Sequence, residues 1–180
     1  MNLANGALDE FSIAYENQAP ELDFASGFLW GYAPGSTNLR VYDPTTLEIL
    51  TTGSLSVKYP PLRGFSNDGT GYRWIGQDPA CQDCRAFVTY SANGSESPLT
   101  GFSYDLDDVV FGGGALWISA GRGNILKLGT DLTLLDVYHV IDFAQFGEAA
   151  SQNAIVMHLE YIDGALWILD QANNFYRLAL

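Results

Sequence analysis

The sequence predicts an all-β protein made of four related units. The four tryptophans stand at positions 30, 74, 117 and 167, so they recur at intervals of 44, 43 and 50 residues. Apolar and polar residues alternate in short runs, as in residues 11–15 and 176–178, and Asn-Gly and Asp-Gly turn dipeptides punctuate the chain. The stretch that most favours a helix, residues 142–154, is interrupted by Gly147 and is interpreted as a loop.

Composition and charge exclude several classes of function. The 180 residues include 8 Lys and Arg against 21 Asp and Glu, for a formal net charge of −13. This balance argues against non-specific nucleic-acid binding and against docking on an anionic membrane. No apolar run approaches the roughly 20 residues that span a bilayer, and the first 11 residues contain no Lys or Arg, unlike a secretory signal. We therefore expect a soluble protein without membrane insertion.

Every tryptophan follows a glycine by three positions. The four pairs are Gly27 and Trp30, Gly71 and Trp74, Gly114 and Trp117, and Gly164 and Trp167. Glycine suits a turn that needs positive φ, and tryptophan suits the strand that follows it. We interpret the tryptophans as core residues between units, since a large aromatic side chain buries ~150–250 Å². The alternative is a ring of aromatic side chains that stack on a ligand such as a sugar.

The unit reads as four strands joined by tight turns, in a single domain of residues 1–180. Its copies occupy about residues 20–60, 61–104, 105–155 and 156–180. The fourth copy reaches Leu180 without an outer strand, whereas residues 1–19 form an arm with a spare strand at residues 11–16. We therefore expect the N-terminal strand to complete the fourth unit.

A period in the forties with four strands per unit resembles the β-propeller superfamily. The resemblance implies a four-bladed β-propeller whose ring is closed by the N-terminal strand; four units could also form half of an eight-bladed ring shared by two chains. The Gly-x-x-Trp frame is not the signature of hemopexin-type or kelch propellers. An architecture of this kind carries no active site with it.

A basic residue follows the tryptophan by ten positions in three units. These residues are Arg40, Lys127 and Arg177, and Arg85 is the predicted counterpart in the second unit. We interpret the four as structural ion pairs, with Asp43 and Asp131 as near partners, because an isolated buried guanidinium is costly. The alternative is an anion-binding ring.

Cys81 and Cys84 form a Cys-x-x-Cys motif in the long turn after Trp74. A structural zinc site needs four ligands, and His139 and His158 do not have the spacing of a zinc finger. A local disulfide or free thiols are therefore favoured over zinc.

The residues Asp105, Asp107 and Asp108 form an acidic cluster. The cluster lacks the glycine and the terminal glutamate of an EF-hand loop, so we interpret it as a solvated turn rather than a cation site. We expect no cofactor, with an axial cation such as calcium as the alternative.

The sequence contains none of the nucleophile-elbow, zinc-protease or phosphate-loop motifs, and we expect no enzymatic activity. Residues 3–14 (LANGALDEFSIA) resemble the start of some small bacteriophage virion proteins. The resemblance implies a structural tail, fibre or capsid-decorating component, located in the virion, that docks on other virion proteins or assembles with itself. The alternative function is a stand-alone lectin-like propeller that binds a glycan.

Overall fold

The computed structural model describes residues 21–25, 27–32, 39–51, 58, 61–77, 85–91, 95–99, 106–121, 123–140, 156–170 and 173–180. Every regular element in these ranges is a β-strand. The predicted N-terminal strand at residues 11–16 and the loop at residues 142–154 lie outside the described residues.

The described strands form four antiparallel sheets, each built from strands that are consecutive in the chain. The first sheet contains β1 (Glu21–Ala25), β2 (Phe28–Tyr32), β3 (Leu39–Tyr42) and β4 (Ile49–Thr51). The second contains β5 (Pro61–Asn67), β6 (Gly71–Gln77), β7 (Arg85–Ser91) and β8 (Glu96–Leu99). The third contains β9 (Leu106–Gly112), β10 (Ala115–Ala120), β11 (Asn124–Leu128) and β12 (Leu134–His139). The fourth contains β13 (Val156–Ile162), β14 (Ala165–Asp170) and β15 (Phe175–Ala179).

The sheets stack face to face, with their first strands side by side. Strand β1 packs on β5, β5 on β9, and β9 on β13. Three clusters of buried side chains lie between the first and second, the second and third, and the third and fourth sheets. Because β10 lies between two such clusters, all six of its residues are buried. The predicted all-β fold of four blade-like sheets is thus confirmed, and closure of the ring by the N-terminal strand stays a prediction.

Glycines make the turns between first and second strands in three sheets. Gly27, Gly114 and Gly164 have φ of +81°, +76° and +75°, in the left-handed region that favours glycine. Gly71 differs, because the turn in the second sheet is longer and its left-handed position is Gly69. A Cβ on Gly71 would instead collide with the carbonyl oxygen of Tyr90, so this glycine is required by a close backbone approach.

All four tryptophans lie in the second strand of their sheet, but their surroundings differ. Trp30 and Trp74 share the cluster between the first two sheets, where both rings contact Phe65. Trp117 is 1% exposed between the third and fourth sheets. Leu166 and Ile168 pack against the third sheet. Trp167 lies between them in the strand, so its ring is on the other face of β14 and is 39% exposed. Trp30 and Trp117 thus face the following sheet, whereas Trp74 faces the preceding one. Trp167 belongs to none of the three clusters, so the four tryptophans do not share one structural place.

Replacing Trp117 with Ala should destabilise the protein by about 3–5 kcal/mol, because the change leaves a large cavity between two sheets. Trp167→Ala is the matched control, and we expect it to cost much less because its ring is partly in water. Urea unfolding of both variants measures the difference. Equal losses of stability would contradict the assignment of Trp117, and not Trp167, to the core.

Deleting residues 1–19 should remove the predicted closing strand and make the chain aggregate, since an open sheet edge templates pairing with other chains. Light scattering and thermal melting of the truncated chain test this expectation. A truncated chain that stays monomeric and melts at the original temperature would exclude closure by the N-terminal strand.

Candidate functional site

The four predicted basic residues do not occupy one repeated position. Lys127 stands directly opposite Trp117, and Arg177 stands directly opposite Trp167. In the first sheet the residue opposite Trp30 is Val41, and in the second sheet the residue opposite Trp74 is Val88. The prediction of a four-membered basic ring is therefore wrong.

The four basic residues take different positions because the connection between the second and third strands differs in length from sheet to sheet. Arg40 pairs with Gly31 and Arg85 with Gln77, so each lies an odd number of positions from the residue opposite the tryptophan. An odd shift in a strand moves a side chain to the other face of the sheet. A basic residue at a constant distance after the tryptophan therefore does not always lie on the same face of its sheet, because the connections differ in length.

Lys127 and Arg177 each lie over the tryptophan of the neighbouring strand. The Lys127 Nζ atom is 4.9 Å from the centroid of the Trp117 ring, and the Arg177 guanidinium carbon is 5.8 Å from that of Trp167. Contacts of this kind contribute about 0.5–1 kcal/mol at exposed sites. The two bases thus act as cation–π partners of the tryptophans.

Asp43 and Asp131, the predicted partners of Arg40 and Lys127, instead accept hydrogen bonds in tight turns. Asp43 Oδ1 accepts bonds from the backbone N–H groups of Thr45 and Thr46, at 2.7 and 3.0 Å. Asp131 Oδ1 accepts from the hydroxyl of Thr133 at 2.7 Å and from its N–H at 3.1 Å. These hydrogen bonds lower the pKa of both carboxyl groups from their ordinary value.

Arg85 joins the second sheet to the third. Its guanidinium forms an ion pair with Asp107, whose carboxylate is buried, and also donates to the carbonyl oxygen of Leu106 at 2.7 Å. Arg85 itself is partly exposed. A guanidinium suits this place because its several N–H groups serve a carboxylate and a carbonyl together.

Replacing Arg85 with Met should destabilise the protein by about 1–3 kcal/mol, because the buried Asp107 carboxylate loses its cation. We expect the matched change Arg177→Met, at an exposed base, to cost no more than about 1 kcal/mol, the contribution of its cation–π contact with Trp167. Chemical denaturation measures both. A loss for Arg177→Met as large as that for Arg85→Met would show that the inter-sheet ion pair contributes nothing specific.

The two residues of the acidic cluster that the structure describes do not form a solvated turn. Asp107 and Asp108 lie in strand β9 and are buried. Asp108 Oδ1 accepts the N–H of Val109 at 2.8 Å, and Oδ2 accepts the N–H of Leu159 in the fourth sheet at 2.7 Å. That prediction is therefore wrong for both residues, whose carboxylates connect neighbouring sheets. Asp105 lies outside the described residues.

His158 and Glu160 complete a charged group around Asp108. The His158 Nδ1 atom lies 3.0 Å from Asp108 Oδ2, and its Nε2 atom lies 3.8 Å from Glu160 Oε1. Burial, together with the negative charge of Asp108, raises the pKa of Glu160, and the nearby His158 opposes the shift. The sequence pattern had not singled out Glu160, and His158 was considered only as a possible zinc ligand. The alternation of residues 158 and 160 on one strand face is the signal that could have paired them.

A cavity of about 330 Å³ lies where the first strands of the four sheets meet. It is lined by Phe24 of β1, residues 65–67 of β5, residues 108–111 of β9 and residues 159–161 of β13. Its volume is at the lower end of the range of small-molecule sites. We call it the axial cavity.

The remaining site predictions stay open. Cys81 and Cys84 lie outside the described residues. In the portion of the chain that the structure covers, no three or more His, Cys, Asp and Glu side chains are arranged to hold a metal ion. Over the same portion, no helix has the length and apolar character needed to cross a membrane.

A second buried ion pair, which sequence analysis missed, shapes the longer turn of the second sheet. Arg73 Nη2 lies 2.8 Å from Asp68 Oδ2, and both side chains are buried. Asp68 Oδ1 also accepts the N–H groups of Thr70 and Gly71, at 2.8 and 3.1 Å. The network replaces the two-residue glycine turn used by the other sheets.

No family model and no curated protein matches this sequence. Solved structures do match. The β-propeller domain of Cps50 (Swd1) from Myceliophteria thermophila superposes with a TM-score of 0.56 at 10% identity, over 87% of this chain and 52% of that chain. These matches show the β-propeller fold.

Two further matching structures have names that point to different functions. KlAtg21, solved in complex with the coiled coil of AgAtg16, matches with a TM-score of 0.57 at 10% identity, over 92% of this chain and 54% of that chain. A luciferin-regenerating enzyme matches with a TM-score of 0.58 at 16% identity, over 89% and 60%. This chain covers between 42% and 60% of the length of the natural proteins that it matches. It covers 96% of the length of one computationally designed protein, Ika4. At such identities the fold is shared, and neither binding nor catalysis follows from it.

Proposed function

We propose that this protein is a non-catalytic propeller that acts by binding other protein chains, including copies of itself. The observation that carries the proposal is strand β12, the outer strand of the third sheet. Leu134 is 59% exposed and Leu135 is 57% exposed, and Val137 is exposed on the same strand. Exposed aliphatic side chains on a sheet edge are a surface that a partner chain covers favourably.

The outer strand of the second sheet, β8, lacks the features that make β12 a suitable edge for association. Strand β8 contains Ser97 and Pro98, and proline lacks the N–H group that an added strand would pair with. Such residues protect an edge from association. Strand β12 has no proline, and its charged side chain, Asp136, stands between apolar neighbours. The third sheet therefore offers an edge that the second does not.

The fold supports the proposal in a general way. KlAtg21 shares the fold and was solved bound to a coiled-coil partner. The luciferin-regenerating enzyme shares it as well, so the absence of catalysis rests on the residues of this chain rather than on the fold. The sequence has no recognised catalytic motif.

The finer proposal is that the assembly is a bacteriophage virion, with this chain as a tail, fibre or capsid-decorating component. Its support is the resemblance of residues 3–14 to the start of small virion proteins. A virion subunit needs contacts of roughly 1,000 Å² or more, for which an exposed apolar strand is a suitable centre.

The lectin-like alternative is less well supported. A ring of four sugar-stacking tryptophans requires four exposed rings, but Trp30, Trp74 and Trp117 are buried. Only Trp167 among the four presents part of its ring to solvent. One such ring gives no repeated ligand site.

Replacing Leu135 with Lys should weaken self-association by about a hundredfold or more, because an unpaired ammonium group would be buried in the contact. Size exclusion with light scattering, over a range of concentrations, should find the wild-type chain as a multimer and the variant near 19.6 kDa.

Ser97→Lys on strand β8 is the matched control and should behave as the wild type. A wild-type chain that stays at the monomer mass at high concentration would exclude self-assembly. A multimer that Leu135→Lys leaves intact would place the contact elsewhere than on β12.

A further inference from the structure

The axial cavity has the charge of a cation site. Its lining includes two carboxylates, Asp108 and Glu160, and no Lys or Arg among the described residues. The net charge of −13 adds a long-range field that attracts cations and repels anions. The chemistry of the cavity therefore selects against phosphates, carboxylates and other anions.

The two carboxylates differ in what they can offer a ligand. Both oxygens of Asp108 already accept backbone N–H groups, from Val109 and Leu159, so this residue is held in place between two strands. Glu160 is half-exposed, and Nε2 of His158, its ion-pair partner, is at 3.8 Å, longer than a hydrogen bond. Glu160 can thus receive a donor from a ligand without breaking a bond that holds the sheets together.

The cavity suits an organic cation better than a metal ion. Calcium takes six to eight oxygen ligands, and magnesium needs near-octahedral geometry. The described residues provide no group of three acidic, histidine or cysteine side chains arranged around one point. The lining instead includes the aromatic residue Phe24, which is 67% exposed and belongs to none of the three buried clusters. An accessible aromatic ring attracts an organic cation, and such a cation needs fewer oxygen ligands than a metal ion.

We propose that the axial cavity binds a small organic cation, an ammonium or guanidinium group, with Glu160 as its main hydrogen-bond acceptor. Asp108 is a positioning residue that holds the first strands of the third and fourth sheets together and adds negative charge. The cation can be a free metabolite or the side chain of a Lys or Arg on a partner chain, because both present the same chemistry. The proposal is independent of the contact on strand β12.

Calorimetric titration of the full chain with n-butylammonium and with agmatine, at low ionic strength, tests the proposal. Both cations should bind saturably, whereas n-butanol, which has the same alkyl chain without the charge, should not. Glu160→Gln should weaken cation binding by about tenfold or more, since a hydrogen bond to a charged group is replaced by one to a neutral amide. Glu48→Gln, at an exposed turn of the first sheet, is the matched control and should bind as the wild type.

A second titration distinguishes the two sources of the cation. The peptide Gly-Gly-Arg-Gly-Gly carries the same guanidinium on a chain: tighter binding than agmatine would indicate a partner side chain, and weaker binding would indicate a free cation. Thermal melting of Glu160→Gln should match the wild type, which separates loss of binding from loss of fold. The proposal is overturned if neither n-butylammonium nor agmatine binds, if binding survives Glu160→Gln unchanged, or if n-butanol binds equally well. Binding of calcium chloride alone would also overturn it.

Discussion

Two adjacent buried carboxylates hold the third sheet to both of its neighbours. Successive side chains of a strand point to opposite faces, so Asp107 and Asp108 on β9 are directed to different sheets. Asp107 reaches Arg85 of the second sheet, and Asp108 reaches the Leu159 N–H and His158 of the fourth. Buried carboxylates are costly without such partners, so the three sheets must keep this spacing. The packing around the axis depends on this constraint.

The axial cavity follows from the same arrangement. Close backbone approach brings β5 against β9, where a Cβ on Gly64 would collide with Asp108 and the backbone of Val109. Gly112 in turn leaves room for the ring of Tyr161 on β13. Glycine at these places lets the first strands approach one another, and the polar side chains left between them give the cavity its negative charge. The proposed cation site is thus a product of inter-sheet packing.

The outer strands serve a different purpose from the inner ones. Strand β12 presents aliphatic residues to solvent, while β8 presents serine and proline. The sheets repeat their hydrogen-bonding pattern while their edges diverge. Edges that differ in this way do not fit a protein with four equal ligand sites. The two proposals therefore use separate parts of the fold, the rim for a protein and the axis for a small cation.

The sequence by itself determined the all-β class, the four-fold repeat and the second-strand position of each tryptophan, because these depend on local alternation and turn chemistry. Gly27, Gly114 and Gly164 could be placed in turns for that reason. Only the tertiary structure decided which face each side chain occupies, since Arg40 and Arg85 lie one and three positions from the residue opposite the tryptophan, and an odd offset places them on the opposite face. It also decided that Asp107 and Asp108 are buried, because their partners lie 22 and 51 residues away in the chain. Local pattern cannot report such distant pairings, and the axial cavity is made entirely of them.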